Sequence, residues 1–433
     1  MNNAADQAEF IDVRQRIREL SVEELCGSAE DFFAQRANWD SLLAKPLSDI
    51  EEAPELLVCF AHVVRGLRLL PDMTVLDFGA GSCWTARFLT QLGMKVIALD
   101  VSPSALRIGR KLFRRHPVFG TKPRPEFLLF DGRTINLADE SVDRISCWEA
   151  FHHVPNPEQV IKEMARVLKP GGIAGFSEPG PDHSRSEQSQ NEMRANRVIE
   201  NDIDIHQIWR AAEAAGFTDL RVAVFSAEPM SLPLADFDRV LSGDDKSTNY
   251  LVHVRNQLRG RRLFFLFKGE PILPLDSRRR AGLRGELRIS PAQARVRAGQ
   301  SIRLKVSVKN VGESTWLPTP EAAQPWWKRG PIARFGRQPH MGPDRIPPRV
   351  GGVRLGIQLL NQAEALLDID YFRYHLTPGE GREIKPFEKV ELEIDVPAPT
   401  KGRYSFHCDL VSEGVSWFDD NESPPVRLPI EVI

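Results

Sequence analysis

Residues 75–100 read Val-Leu-Asp-Phe-Gly-Ala-Gly-Ser-Cys-Trp-Thr-Ala-Arg-Phe-Leu-Thr-Gln-Leu-Gly-Met-Lys-Val-Ile-Ala-Leu-Asp. A short apolar run passes through an acid, Asp77, into a glycine turn, Gly79 to Gly81. Apolar residues at Trp84, Ala86, Phe88 and Leu89 then predict a helix. A second apolar run, Val96 to Leu99, ends in another acid, Asp100. The order is strand, tight turn, helix, strand: the first βαβ unit of a doubly wound sheet. The glycines let the backbone take positive φ and approach a ligand. The turn opens a helix N-terminus with unpaired N–H groups.

The turn does not fit a pyrophosphate well. The pattern G-x-G-x-x-G lacks its third glycine, because position 84 is Trp. Asp77, just before the turn, would meet a diphosphate with like charge. An acid there suits a ligand with a positive centre and a nucleoside, and Asp100 can accept hydrogen bonds from both ribose hydroxyls. The stretch resembles motif I of class I S-adenosylmethionine-dependent methyltransferases, D/E-x-G-x-G-x-G. Asp77, Gly79 and Gly81 match; Cys83 replaces the last glycine and should leave less room in the turn.

Farther on, Ser141–Trp148 leads through a fourth strand into Phe-His-His-Val-Pro-Asn-Pro, residues 151–157. A helix from Gln159 to Leu168, the turn Lys169-Pro-Gly-Gly and a fifth strand, Ile173 to Phe176, follow. This run is similar to the same family, so the resemblance covers residues 75–180. It implies S-adenosyl-L-methionine as cofactor. It also implies a pocket lined by Asp77, Gly79, Ala80, Gly81, Asp100, Val101, Asp131, Gly132, Cys147 and Trp148, with Asp131 against the adenine amino group.

The chain has 433 residues, enough for two or three domains. Residues 1–70 read as an N-terminal helical cap; Ser21-Val-Glu-Glu is a capping-box pattern. Residues 71–270 are the Rossmann-like, seven-stranded methyltransferase domain, with strands six and seven at Leu220–Phe225 and Arg262–Phe267 and a helical stretch, Leu234 to Leu258, between them. Residues 271–285, with Pro271, Pro274 and Arg278–Arg280, read as a linker. Residues 286–433 alternate apolar and polar in short runs separated by turn residues, which predicts a separate all-β sandwich. It loosely resembles immunoglobulin-like modules of bacterial glycan-handling proteins, with Trp316 and Trp417 expected in its core. The loop Pro318–Val350 carries Trp326, Trp327 and Phe335 among Lys328, Arg329, Arg334 and Arg337, a mixture suited to sugar rings with acidic groups.

A net charge of −2 gives no global pull toward nucleic acid or an anionic membrane. The cysteines Cys26, Cys59, Cys83, Cys147 and Cys408 form no CxxC pair, which argues against a zinc site or a disulfide framework. No metal is expected. Met1 to Glu9 lack the apolar core of a secretory signal, and no apolar run is long enough to span a bilayer; a cytoplasmic location is expected.

A sugar hydroxyl is barely ionised at neutral pH, so its methylation gains from a base. His152 and His153 follow strand four and Glu178 follows strand five, so a histidine and the carboxylate can face one crevice. The resemblance implies such a pairing in sugar O-methyltransferases. His152 is the first candidate base and His153 the second; Asp182, His183 and His206 remain open. The insertion at residues 181–205 lies where a substrate lid would sit. The expected activity is O-methylation of a glycan or glycan precursor, with the sandwich as a recognition or assembly module. Two other readings stand: a non-catalytic scaffold with a degenerate fold, and a C- or N-methyltransferase of a small molecule.

Overall fold

Seven strands of the N-terminal half form one sheet: β1 Thr74–Phe78, β2 Lys95–Asp100, β3 Glu126–Leu129, β4 Val142–Trp148, β5 Leu168–Pro179, β6 Asp219–Val222 and β7 Arg261–Lys268. Their order is β3-β2-β1-β4-β5-β7-β6. The first five pair in parallel, and β7 runs antiparallel to both neighbours. β1 and β2 bury every residue after the first, as strands covered on both faces do. The order reverses between β1 and β4, so a crevice opens at their carboxyl ends. The computed structural model that shows this describes residues 10–119, 122–224, 234, 254–256, 258–319 and 350–433.

Helices cover both faces. One face carries α7 Pro157–Val167 and α9 Ile205–Ala214, whose Ile161, Met164 and Ile208 join Leu76, Ile145 and Phe176. The other carries α4 Glu52–Gly66 and α5 Trp84–Gln91, with Val63, Leu67 and Trp84 packed on Ile173 and Phe265. Three further helices precede α4: α1 Val13–Glu19, α2 Val22–Ala34 and α3 Asp40–Ala44. The capping box forms at Ser21 and Glu24, and α6, Pro103–Arg115, starts on a Ser102 cap with proline in its first turn.

The N-terminal helices also fasten the insertion after β5. That insertion contains α8, Glu187–Asn196. Val13 and Leu25 share an apolar cluster with Met193 and Ile199. The Gln190 amide accepts from the Ile11 N–H and donates to the Ile11 carbonyl, and Arg16 donates to the carbonyls of Met193 and Val198. Side chains near residue 12 thus fix a segment near residue 195 over the strand ends.

The second unit holds two sheets. One has the order β13-β10-β8, with β8 Gly285–Ser290, β10 Ser301–Asn310 and β13 Lys389–Pro397. The other runs β12-β11-β14-β16-β9, with β9 Ala294–Val296, β11 Val353–Asn361, β12 Leu366–His375, β14 Gly402–Ser412 and β16 Val426–Val432; β15, Ser416–Trp417, pairs with β14. Leu304, Val306 and Val396 of the first sheet share one core with Leu355, Ile357 and Phe406 of the second.

Several expectations shift. β5 is longer than Ile173–Phe176, because it pairs with β7 as far as Pro179 opposite Arg261. The boundary between the units falls at Ile272 and Leu273. Most of the expected linker, residues 271–285, belongs to the second unit: the Ser277 N–H donates to the Thr315 carbonyl, Asp276 bridges to Thr315, and Leu283 is buried in the β core. Trp316 is a core residue, edge-on to Phe418. Trp417 is half-buried instead, with the Arg373 guanidinium 4.4 Å over its ring. Phe225, most of Leu234–Leu258, and the aromatic and cationic residues expected in the loop at 320–349 lie outside the described residues. Among the described residues no helix is long and apolar enough to cross a membrane.

Candidate active site

The carboxyl ends of β1, β2 and β4, the N-terminal helices and the insertion enclose a cavity of about 730 Å³. Its two ends are built differently.

One end is made of backbone. Gly79 and Gly81 sit at φ +66° and +51°, and a Cβ on Gly79 would lie 2.2 Å from that of Ala150. Only glycine lets the chain turn there against the β4 loop. Cys83 holds the left-handed conformation too, at φ 63°. Its thiol lies 3.5 Å from the Gly81 carbonyl and against Gly109 of α6, where a Cβ would come within 2.3 Å of the sulfur. The missing side chain at Gly109 makes room for the cysteine.

Asp100 lines this end. Its carboxylate accepts the N–H groups of Gly81 and Ser102, each at 2.8 Å, and so holds the turn. Burial pushes it up to about 6 against those hydrogen bonds. Asp77 lies behind the wall. One oxygen accepts the Thr85 hydroxyl at 2.7 Å; the other is buried without a partner. Burial pushes Asp77 up to about 7.

Of the expected pocket residues, Gly79, Ala80, Gly81, Asp100, Val101, Gly132 and Trp148 line the cavity. Asp77, Asp131 and Cys147 do not. Asp131 is exposed and accepts the N–H groups of Arg133 and Thr134, closing its own turn. Cys147 faces the opposite side of the sheet from Trp148, because neighbours along a strand alternate. Its thiol is 3.5 Å from Glu178.

The other end is ionisable. His152, His153, His183 and Glu200 line it. His152 Nδ1 lies 2.7 Å from Glu178 Oε2. A carboxylate only accepts, so Nδ1 carries the hydrogen and Nε2 the lone pair. Glu178 also accepts the N–H groups of Ala150 and Phe151. It is wholly buried beneath His152 and is not on the cavity wall, so the two do not face the crevice together. Burial would lower His152, but the Glu178 hydrogen bond and charge outweigh it and hold the ring above its usual range. Burial raises Glu178, and His152 in turn outweighs that and holds it low.

His153 Nδ1 is 2.6 Å from the Ile199 carbonyl, so it too donates from Nδ1. Its ring is 39% exposed, yet desolvation by the surrounding cavity wall, then the neighbouring His152, holds it below its usual range. Glu200 was not among the sequence candidates. One oxygen takes the His183 Nε2 at 2.7 Å and lies 3.6 Å from His152 Nε2; the other is 3.7 Å from His153 Nδ1. Burial raises Glu200, and the hydrogen bond from His183 with the charges of His153 and His152 brings it below its usual range. No motif marks Glu200; only a count of acids in the 181–205 insertion would have raised it. Asp182 and His206 do not line the cavity.

Part of the first unit is similar to methyltransferases. Residues 76–176 match the family model described as "Methyltransferase domain". Demethylmenaquinone methyltransferase of Renibacterium salmoninarum is 30% identical over 142 residues, 32% of this chain and 56% of that protein. Methyltransferase GfsG of Streptomyces halstedii is 39% identical over 102 residues, 23% of this chain and 34% of that protein. The chain thus spans about half, or less, of these relatives' length. A solved structure of a putative sarcosine dimethylglycine methyltransferase from Galdieria sulphuraria aligns with a TM-score of 0.37 at 18% identity, covering 52% of this chain and 89% of that one. The matched residues include the glycine turn and both histidines, but not Glu178 or Glu200.

The residues present fit the cofactor of this domain, S-adenosylmethionine. Asp100 offers a carboxylate to ribose hydroxyls, and Asp77, behind the wall, adds acidic charge that favours a cationic ligand. Trp148 lines the cavity with its indole N–H buried and unpaired. Gly132 also lines it, where a Cβ would meet the Cys26 sulfur at 2.7 Å.

Proposed function

We propose that the protein O-methylates a hydroxyl of a sugar, in a glycan or glycan precursor, using S-adenosylmethionine. S-adenosylmethionine supplies an electrophilic sulfonium methyl. The observation that carries the reading is His152, backed by the buried Glu178, just after β4 in the same cavity as Asp100 and the glycine turn. Alignment of a nucleophile with that methyl, and ionisation of the hydroxyl, are what this chain has to supply.

His152 does the second. Its Nδ1–H is tied to Glu178, so Nε2 presents a lone pair at the cavity wall. In a metal-free site that nitrogen accepts the hydroxyl proton. Glu178 is a positioning residue: it fixes the tautomer and favours the protonated ring once the proton has moved. His153, tied to Ile199, is the second candidate, with its own Nε2 lone pair. Phe32, Phe33, Leu42 and Leu56 supply apolar wall, and Arg36, Gln188 and Glu192 polar groups, a mixture that suits a sugar ring. We read the second unit as an immunoglobulin-like sandwich that recognises or assembles the acceptor.

The test has two stages. Calorimetry on the full chain should show one site for S-adenosylmethionine; no binding leaves a scaffold. Transfer of labelled methyl to a panel of sugars, phenols and amines should then favour hydroxyl acceptors. Transfer confined to amines or carbon acids would overturn the oxygen chemistry.

A further inference from the structure

The ionisable end of the cavity poses a problem that a proton or a cation can solve. With its hydrogen on Nδ1, His152 turns the lone pair of Nε2 toward Glu200 Oε2, 3.6 Å away. Two electron-pair donors face one another at a distance too long for a hydrogen bond. We propose that His152, His153 and Glu200 bind a divalent transition-metal ion, of the zinc class, at the acceptor end of the cavity.

The geometry is that of a ligand set. One nitrogen of each imidazole and one Glu200 oxygen lie within 4.8 Å of one another. Bonds of about 2.0–2.1 Å in a tetrahedral site put ligand atoms about 3.4 Å apart, close to the 3.6 Å between His152 and Glu200. The surrounding hydrogen bonds are those that orient metal ligands. A metal-bound histidine typically donates its other N–H to a carboxylate or a backbone carbonyl, and a bound carboxylate is itself hydrogen-bonded. His152 donates to Glu178 and His183 to Glu200; His153 Nδ1, 3.7 Å from Glu200, is taken by the Ile199 carbonyl, so His153 would ligate through Nε2. Two imidazoles and one carboxylate favour zinc, manganese or iron(II) over magnesium, which prefers an all-oxygen shell. Three protein ligands leave a position open to the cavity.

The role of the ion rests on the O-methylation reading. The acceptor hydroxyl oxygen takes the open position, which makes its proton acidic, and the proton passes to water. The oxygen bonds to the methyl carbon, and the carbon–sulfur bond breaks with its electron pair left on sulfur. The products are the methyl ether, S-adenosylhomocysteine and one proton. A nitrogen bound to the ion has no lone pair for a proton, so His152 is then a ligand and not the base.

Chelator-treated full-length protein is titrated with Zn²⁺ against a chromophoric competitor, and with Mg²⁺ in parallel. S-adenosylmethionine affinity is measured on the same samples. One equivalent of Zn²⁺ should bind with a submicromolar Kd, far tighter than Mg²⁺. Glu200→Gln and His153→Ala should weaken Zn²⁺ at least about tenfold to a hundredfold while cofactor affinity is kept. Co²⁺ should give the intense visible bands of a four- or five-coordinate site, a reading that needs no variant. Absence of a tight Zn²⁺ site, affinity unchanged in both variants, or only the faint bands of hydrated Co²⁺ would overturn the proposal: the gap then holds a proton. Protein that binds S-adenosylmethionine but not Zn²⁺ loses the metal site alone; protein that does not bind S-adenosylmethionine loses the enzymatic reading.

Discussion

Asp77 and Asp100 at one end of the cavity, and Glu178 and Glu200 at the other, are each at most 7% exposed, yet their acidities move in opposite directions. Burial disfavours the carboxylate in all four. Asp77 and Asp100 have neutral partners, a hydroxyl and backbone N–H groups, and burial wins: they rise to about 7 and about 6. At Glu178 burial is outweighed by His152, and at Glu200 by His183, His153 and His152, so both stay low. The acceptor end carries its partners, ionisable imidazoles, on the chain. At the cofactor end the positive partner comes with the ligand, and a sulfonium with an ammonium group supplies it.

The comparison predicts different failures at the two ends. His152→Ala should lower kcat at least about a hundredfold, the usual scale of general-base catalysis, with little change in cofactor affinity. Single-turnover kinetics with a competent acceptor, beside calorimetry, separates these. A loss confined to KM would mean that His152 only binds. Asp100→Ala should do the reverse and weaken S-adenosylmethionine roughly ten- to a hundredfold, the worth of a charge-assisted hydrogen bond at about 1.5–3 kcal/mol. Because Asp100 also holds the Gly81 turn, Asp100→Asn is the companion variant: it keeps an acceptor for the backbone and should lose less.

A smaller effect should appear with pH. A cationic ligand favours the ionised forms of Asp77 and Asp100, so binding releases protons and affinity rises with pH through the range of about 6 to 7. From pH 8 to pH 5.5, affinity for S-adenosylmethionine should fall about tenfold, on the scale of one pKa unit per factor of ten. S-adenosylhomocysteine, without the sulfonium charge, should fall less. Equal falls for both, by calorimetry, would break the comparison. In the ligand-free chain the same raised values act in the other sense: what these two carboxyls contribute to stability is fully present below about pH 4 and declines as pH rises through about 7.

The smallest effect should come from removing the second unit. Each unit has its own buried core. A chain ending at Ile272 should bind S-adenosylmethionine within about twofold of the full protein. Loss of binding in a soluble fragment would place part of the cofactor end outside residues 10–272. A glycan array probed with both chains would then show whether the sandwich adds affinity for the acceptor.

The cofactor end was legible in the residues because it is local. Strand, Gly79–Gly81 turn, helix and Asp100 follow one another within 26 positions, and apolar runs with glycine punctuation set that backbone without long-range help. The acceptor end was half legible. His152 and His153 stand in a recognisable run, but their partners come from elsewhere: Glu178 is 26 residues on, and Ile199 is 46 residues from His153. Strand alternation says that Cys147 and Trp148 point to opposite faces. Only packing says which of them meets the cavity: Trp148 lies with α4 and α5, and Cys147 in the core beneath α7. Glu178 was legible as a partner of His152, but its place beneath the ring follows from the N–H groups of Ala150 and Phe151 that it also caps. Glu200 had no signal, because the insertion that carries it has no period of its own and takes its place from Arg16 and Gln190. Local backbone preference thus determined the sheet and the cofactor turn. Tertiary contact decided which ionisable groups meet, because hydrogen bonds and charge act across space and not along the chain.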